Sequence, residues 1–220
     1  MRNIFFFGLF LLVSSCATPT DSEEIEINVE KSSDSIQSEE LIEIPLVLTP
    51  LDTMSNELIN LLDAPLDIQA FKEAKRSANS GHYNKTEGFF KPDYEGFYIR
   101  YFIFPRFGES GPRIISYHKG EGFGRFSEKR DTLIQLFSNR SDRDLKNINI
   151  VGLDITEFKN RYGNEKWNED DFFFFANENK LLTIKVSKKG IIIWFKWNWL
   201  DKTINSLSDI PESIRDLNAR

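Results

Sequence analysis

The sequence predicts an α+β domain in which helices pack on one face of an antiparallel sheet. Residues typical of helix N-caps precede segments with apolar side chains at helical spacing, near residue 55 and again near residue 154. Short apolar runs that end at Pro, Asn or Gly indicate strands. Thirty aromatic residues, 20 of them Phe, supply apolar area for a core.

Two capping residues define the start of the first half. Ser55 and Asp67 are N-cap types, and Gly81 is expected to end the second helix as a C′ glycine. Ser127 is expected to cap a third helix, and polar residues 139–147 to form a loop or a short turn of helix. The predicted elements are a helix over 55–62, a helix over 67–80, strands over 96–104 and 113–118, and a helix over 127–137.

The second half has sharper local signals. Asp154 is an N-cap with Glu157 three residues later, a variant of the capping box, and Gly163 follows the helix. Lys188-Lys189-Gly190 is a compact hairpin turn, and Pro211 suits the first turn of a closing helix. The predicted elements are a helix over 154–162, strands over 172–176, 180–186 and 191–200, and a helix over 209–217. Alternation places Ile191, Ile193, Phe195, Trp197 and Trp199 on one face of the last strand.

The N-terminal segment predicts lipid attachment at Cys16. Arg2 precedes an apolar run over residues 4–13, which is shorter than the about 20 residues that span a bilayer as a helix. Val13-Ser14-Ser15-Cys16 follows, and the arrangement resembles a bacterial lipoprotein signal peptide ending in a lipobox. The resemblance implies removal of residues 1–15 and acylation of the chain's only cysteine. The alternative is an ordinary signal peptide cleaved at a nearby site.

The residues after Cys16 indicate a location. Ala17, rather than Asp, follows the cysteine, which in Gram-negative lipoproteins favours transfer to the outer membrane. The acidic residues 20–24 resemble the export signals of surface lipoproteins in the Bacteroidota, and they equally suit a solvated tail. We therefore expect a lipid-anchored outer-membrane protein, with the periplasmic or cell-surface face left open.

Charge separates a tether from a folded domain. Residues 1–45 carry nine acids and two bases, so they hold a net charge of −7 while residues 46–220 hold +1. Residues 16–45 are acidic and contain no aromatic residue, which predicts a disordered spacer. The α+β domain is expected over 46–220, and whether it consists of two diverged halves, 46–125 and 126–220, stays open. A nearly neutral domain gives no support to nucleic-acid binding.

One segment carries a family resemblance. Residues 154–163 end in Tyr-Gly, and Leu181-Leu182-Thr183-Ile184 and Lys188-Lys189-Gly190 follow in strand and turn. Together, residues 150–200 resemble the small α+β units of BamE-like and β-lactamase-inhibitor-like periplasmic proteins. The segment departs from their usual Gly-x-Pro at the helix end. The resemblance implies a non-catalytic role in binding or assembly, and it assigns no functional residue.

Four tryptophans are the candidate binding residues: Trp167, Trp194, Trp197 and Trp199. Core packing explains an aromatic-rich strand, and the alternative is an exposed platform that stacks on sugar rings or contacts a protein partner. His82 and His118 lack the spacing of a metal or nucleophile site. The carboxylates at 165–171 fit neither a calcium loop nor a defined catalytic pair.

These observations favour a non-enzymatic binding or assembly module of the cell envelope. A surface glycan-binding protein that uses the Trp-rich strand is the second hypothesis, and a hydrolase of an envelope polymer is the third. The sequence implies no cofactor and no catalytic or metal-binding residue. The expected partners are the membrane, through the lipid on Cys16, and an envelope protein or glycan of unknown identity.

Overall fold

An eight-stranded antiparallel sheet organises the computed structural model, which describes residues 54–215 except 76–77, 104–110, 122–125 and 127–128. The strands are β1 (Asn79–His82), β2 (Gly96–Phe102), β3 (Arg113–Lys119), β4 (Asp131–Ser138), β5 (Trp167–Glu169), β6 (Phe172–Asn177), β7 (Lys180–Val186) and β8 (Ile192–Trp199). The α-helices are α1 (Asn56–Asp63), α2 (Ile68–Lys75), α3 (Ile155–Tyr162) and α4 (Glu212–Arg215), and two 3-10 helices cover Arg143–Ile148 and Leu207–Asp209. The predicted antiparallel sheet with accompanying helices is confirmed, and the described chain is mainly β.

The strand order joins two meanders at the centre of the sheet. The order is β1-β2-β3-β4-β8-β7-β6-β5, and every neighbouring pair is antiparallel. Strands β1–β4 and β5–β8 are therefore consecutive four-stranded meanders that meet where β4 pairs with β8. Helix α2 precedes the first meander and α3 precedes the second. The boundary between the two possible halves, 46–125 and 126–220, therefore falls inside the first meander, between β3 and β4.

The predicted helix starts are confirmed because caps are local interactions. The Ser55 hydroxyl accepts the Leu58 N–H at 3.1 Å, and the Asp154 carboxylate accepts the Thr156 N–H at 2.7 Å. Asp67 likewise accepts backbone N–H groups in the first turn of α2. Each cap satisfies a donor that the helix itself leaves unpaired.

The predicted helix over 127–137 is wrong, and residues 131–138 form the central strand β4. A central strand is covered on both faces, so its apolar residues need not alternate with polar ones. A register shift between Ile115 and Ser116 on the β3 side leaves Ile134 as an extra residue opposite that strand. The resulting apolar cluster imitates one side of a helix. The proposed cap, Ser127, lies outside the described residues.

Two short edge strands were not predicted from the sequence. β1 contains Asn, Ser, Gly and His, so its composition carries no strand signal. Gly81 does not end α2 as expected, because it pairs with Arg100 inside the sheet. β5 lies at the other edge, among the carboxylates at 165–171.

The last strand contains a bulge that changes which side chains share a face. Val186 pairs with Ile192, and Lys185 pairs with Trp194, so Ile193 is the extra residue. Ile193 is 39% exposed, whereas Ile192 is buried in the same cluster as Phe195. The predicted placement of Ile193 beside Phe195 is therefore wrong.

Two clusters of buried side chains pack against the sheet. The first combines residues of α1, α2 and α3 with sheet residues such as Tyr101, Leu182 and Trp197. The second combines sheet residues such as Tyr117 and Phe174 with residues that follow β8. The predicted helix over 209–217 is reduced in the described residues to α4, which Pro211 precedes.

Candidate functional site: a basic pocket on the sheet

A pocket of about 280 Å³ lies over strands β2, β3, β4 and β8. Its floor is the sheet surface that carries the second cluster of buried side chains, which we call the second face. The β1–β2 connection and α4 supply its walls. The lining residues are Tyr83, Lys85, Phe89, Arg100, Arg113, Ile115, Gln135, Phe137, Lys196, Ser213 and Ile214.

Strand register brings the basic residues of the floor together. Arg113 on β3 pairs with Phe137 on β4, and Phe137 pairs with Lys196 on β8, so the three side chains form one row. Arg100 pairs with Ile115, which places it diagonally from Arg113 on the same face. Three cationic groups from three strands therefore converge on the pocket.

Aromatic rings hold the two guanidinium groups. The Arg100 Cζ atom lies 4.1 Å from the centroid of the Tyr83 ring, and the Arg113 Cζ atom lies 4.3 Å from that of Phe137. Stacking uses the flat face of a guanidinium and leaves its N–H edge for hydrogen bonds. Burial and the charge of Arg100 lower the pKa of the Arg113 guanidinium.

Lys196 connects the floor to the wall. Its side chain is largely buried, and its Nζ donates to the backbone carbonyl oxygen of Ile214 at 2.9 Å. This bond fixes α4 above the sheet, with Ser213 exposed at the rim. Lys85 is also exposed and adds a fourth positive charge at the rim. No Asp or Glu occurs among the described residues that line the pocket.

The four candidate tryptophans do not share one surface. Trp197 is 2% exposed, and its Nε1 donates to the carbonyl oxygen of Leu62 at 2.9 Å, so it is a core residue. Trp199 packs against the first cluster, and its ring stacks on Phe90 at 4.1 Å between centroids. Trp167 and Trp194 are half-buried against the second cluster.

His118 belongs to a buried charged cluster rather than to an open cleft. Its Nδ1 lies 2.6 Å from Oδ1 of Asp131, and Lys72 Nζ lies 2.9 Å from Oδ2 of the same carboxylate. All three residues are buried, with whole-residue exposures of 2%, 3% and 8% for His118, Lys72 and Asp131. Ser116 Oγ, two residues away on β3, is fully buried and has no hydrogen-bond partner in the described chain. This arrangement is inaccessible to a substrate. His82, by contrast, is exposed on edge strand β1.

The acidic residues around Trp167 form structural pairs. Both carboxylate oxygens of Glu165 contact Lys159 Nζ, at 2.9 and 2.8 Å, which lowers the pKa of Glu165 despite its burial. Glu169 pairs with Arg215 at 2.9 Å and thereby links β5 to α4. Asp170 adopts positive φ in the turn between β5 and β6.

Two predicted features, Cys16 and the acidic tether, lie outside the described residues. Within the described part, no group of three or more His, Cys, Asp or Glu side chains is arranged to hold a metal ion. In the same part, no helix has the length and apolar character needed to cross a membrane. No protein-family model, curated protein or solved structure matches this chain.

The pocket residues were not identified from the sequence, although the sequence contains a signal for them. Arg100 interrupts an otherwise aromatic and aliphatic strand, and Lys196 stands between Phe195 and Trp197. A basic residue inside a run that is otherwise buried is unusual and points to a specific site.

Proposed function

We propose that the protein is a cell-envelope lipoprotein whose domain is a non-enzymatic binding module. The lipobox-like sequence supports the anchor, and the acidic segment 16–45 would hold the domain away from the lipid. Ala17 favours the outer membrane. The binding role rests on one observation, the pocket on the second face.

The pocket offers groups that bind rather than groups that react. Its polar groups are cationic, amide and hydroxyl side chains, and the two arginines lie over aromatic rings. Ligand pockets combine apolar walls with a few fixed polar groups in this way. We infer further that α1, α2 and α3 cover the opposite face of the sheet, which leaves the second face for the ligand.

The anchor is tested by labelling cells with a palmitate analogue. The wild-type protein should incorporate the label and Cys16→Ala should not. Label retained in the Cys16→Ala variant would overturn the lipid attachment. Protease treatment of intact cells then separates a cell-surface domain, which is digested, from a periplasmic one, which is protected.

The binding role is tested by native mass spectrometry of the protein purified from its own envelope in mild detergent. Ser213→Trp places a bulky side chain at the pocket rim, and Ser208→Trp is a matched control because Ser208 is exposed outside the pocket. Wild type and Ser208→Trp should carry an additional bound mass that Ser213→Trp lacks. An identical spectrum for all three proteins would contradict the proposal.

The other two functions receive less support. A glycan-binding strand requires exposed tryptophan rings, whereas Trp197 is buried and Trp199 is stacked on Phe90. An envelope-polymer hydrolase requires an accessible acid, base or nucleophile, whereas His118 and Asp131 are buried. An envelope protein or a glycan remains the expected source of the bound ligand.

A further inference from the structure

The pocket places two guanidinium groups together with no acidic partner among the described residues. They belong to Arg100 and Arg113, and Lys85 adds a positive charge at the rim. No carboxylate in the described part of the chain forms an ion pair with Arg100 or Arg113, which instead lie close to aromatic rings and to each other. Partly buried charges of one sign destabilise a fold unless an opposite charge joins them. An anionic ligand would supply that charge.

The position of the guanidinium groups suits an oxyanion. Each lies over an aromatic ring, Arg100 over Tyr83 and Arg113 over Phe137, and their N–H groups are the donors that a ligand would use. Arginine recognises phosphate and carboxylate groups through these N–H groups, often with two parallel hydrogen bonds. The conformational cost of ordering these long side chains is reduced, because ring stacking already restrains them.

The size and charge of the pocket favour a compact group with two negative charges. About 280 Å³ is close to the lower limit of ligand pockets, so a small molecule or one end of a larger molecule fits. A planar carboxylate presents two oxygens and one charge, which one guanidinium can match. A phosphate monoester presents three terminal oxygens and nearly two charges at neutral pH, which match the two guanidinium groups of the pocket.

We propose that this pocket binds the phosphate monoester group of an anionic ligand, with Arg100 and Arg113 as its principal donors. Lys85 adds long-range attraction at the rim, and Phe89, Ile115 and Ile214 supply an apolar wall for the rest of the ligand. The inference rests on the binding role proposed above and names its ligand class. A free phosphate ester and a lipid or glycan bearing a terminal phosphate share this chemistry.

The test is a calorimetric titration of the full-length protein in detergent with glycerol 3-phosphate, acetate and glycerol. Arg100→Gln/Arg113→Gln removes both donors. Lys188→Gln/Lys189→Gln removes the same charge from the exposed β7–β8 turn and is the matched control. Wild type and control should bind glycerol 3-phosphate at one site, and the arginine variant should bind it at least about 100-fold more weakly.

The pH dependence of binding gives a second measurement. The monoester gains its second negative charge at a pKa of about 6, so affinity should fall as the pH is lowered through that value. Equal binding of acetate by the wild type would overturn the assignment to phosphate. Absence of saturable glycerol 3-phosphate binding, or equal binding by the arginine variant, would overturn the inference altogether.

The source of the phosphate is distinguished with vesicles. Cys16→Ala, which lacks the lipidated residue, is mixed with phosphatidylcholine vesicles with and without phosphatidic acid, a lipid that carries a phosphate monoester. Binding that requires phosphatidic acid and both arginines assigns a lipid source, and binding of glycerol 3-phosphate alone assigns a soluble one. If Ser213→Trp loses a neutral ligand in mass spectrometry while no phosphate binds, the inference fails and the binding role stands.

Discussion

Replacing Asp131 with Asn should destabilise the domain more than any change at an exposed ion pair. The Asp131 side chain is fully inaccessible and receives Lys72 Nζ at 2.9 Å and His118 Nδ1 at 2.6 Å. The Lys72 side chain is 2% exposed. Loss of the carboxylate charge leaves the lysine buried without that partner, and breaking a buried pair in this way costs about 3–5 kcal/mol.

This cost is large compared with the stability of a typical domain. Folded domains are stable by about 5–15 kcal/mol, so the variant should lose roughly a third to a half of a mid-range value. With a urea dependence of about 2 kcal/mol per molar, the unfolding midpoint should fall by roughly 1.5–2.5 M. Urea titration followed by tryptophan fluorescence measures this shift, because Trp197 is in the core beside α1.

A matched control uses an ion pair at the surface. Lys129 and Glu73 lie 3.1 Å apart with side chains 74% and 64% exposed, so Glu73→Gln should leave the midpoint nearly unchanged. Lys72→Met/Asp131→Leu should cost less than the sum of the single changes, because it removes both charges. If Asp131→Asn shifts the midpoint no more than Glu73→Gln, the buried cluster does not stabilise the fold as argued.

Three further predictions concern packing, capping and acid stability. In Gly96→Ala the new Cβ would lie 2.1 Å from the His118 carbonyl oxygen, so we expect the free energy of unfolding to fall by about 1–3 kcal/mol. The Cβ of Gly81→Ala would meet nothing within 4 Å, so this control should be nearly neutral. Thermal unfolding compares the two variants, and equal losses would refute the steric argument. Trp197→Phe removes the hydrogen bond to the Leu62 carbonyl oxygen and leaves that oxygen buried without the indole donor, so the free energy of unfolding should fall by about 1–3 kcal/mol. Ile193→Ser, at an exposed position, should change it by no more than about 0.5 kcal/mol. Because Lys159 depresses the pKa of Glu165 below 4.5, the pair stabilises the fold above that value, and the contribution is lost as the pH falls through the lower folded pKa. Acid titrations should show a difference in the free energy of unfolding of below about 1 kcal/mol between wild type and Glu165→Gln, present at pH 7 and declining as the pH falls below 4.5; a difference independent of pH would contradict this.

Local signals explain which parts of the fold could be predicted. The caps at Ser55, Asp67 and Asp154 depend on hydrogen bonds within three residues, so the sequence alone contains them. The hairpin strands β6 and β7 are likewise close in sequence. The edge strand β1 has no such signal, because its residues are polar and its pairing partner begins 14 residues later.

Long-range pairing explains what could not be predicted. Residues 131–138 form a strand because they pair with β3 on one side and with β8, more than 50 residues away, on the other. The bulge at Ile193 places Ile192, rather than Ile193, in the cluster that contains Phe195, and the alternation of the sequence gives no sign of it. Arg113 and Lys196 share one row of the sheet only because β4 pairs with both of their strands. The pocket therefore depends on strand register, and no local sequence motif encodes it.

The central claim, that the second face of the sheet holds an anionic group, is tested most directly by crystallography with tungstate, a tetrahedral oxyanion with a strong anomalous signal. Crystals of the protein soaked in tungstate should show one anomalous peak in the pocket, with oxygens within about 3 Å of guanidinium nitrogens of both Arg100 and Arg113. Peaks confined to exposed bases such as Lys188 and Lys189, with none between the two arginines, would contradict the account.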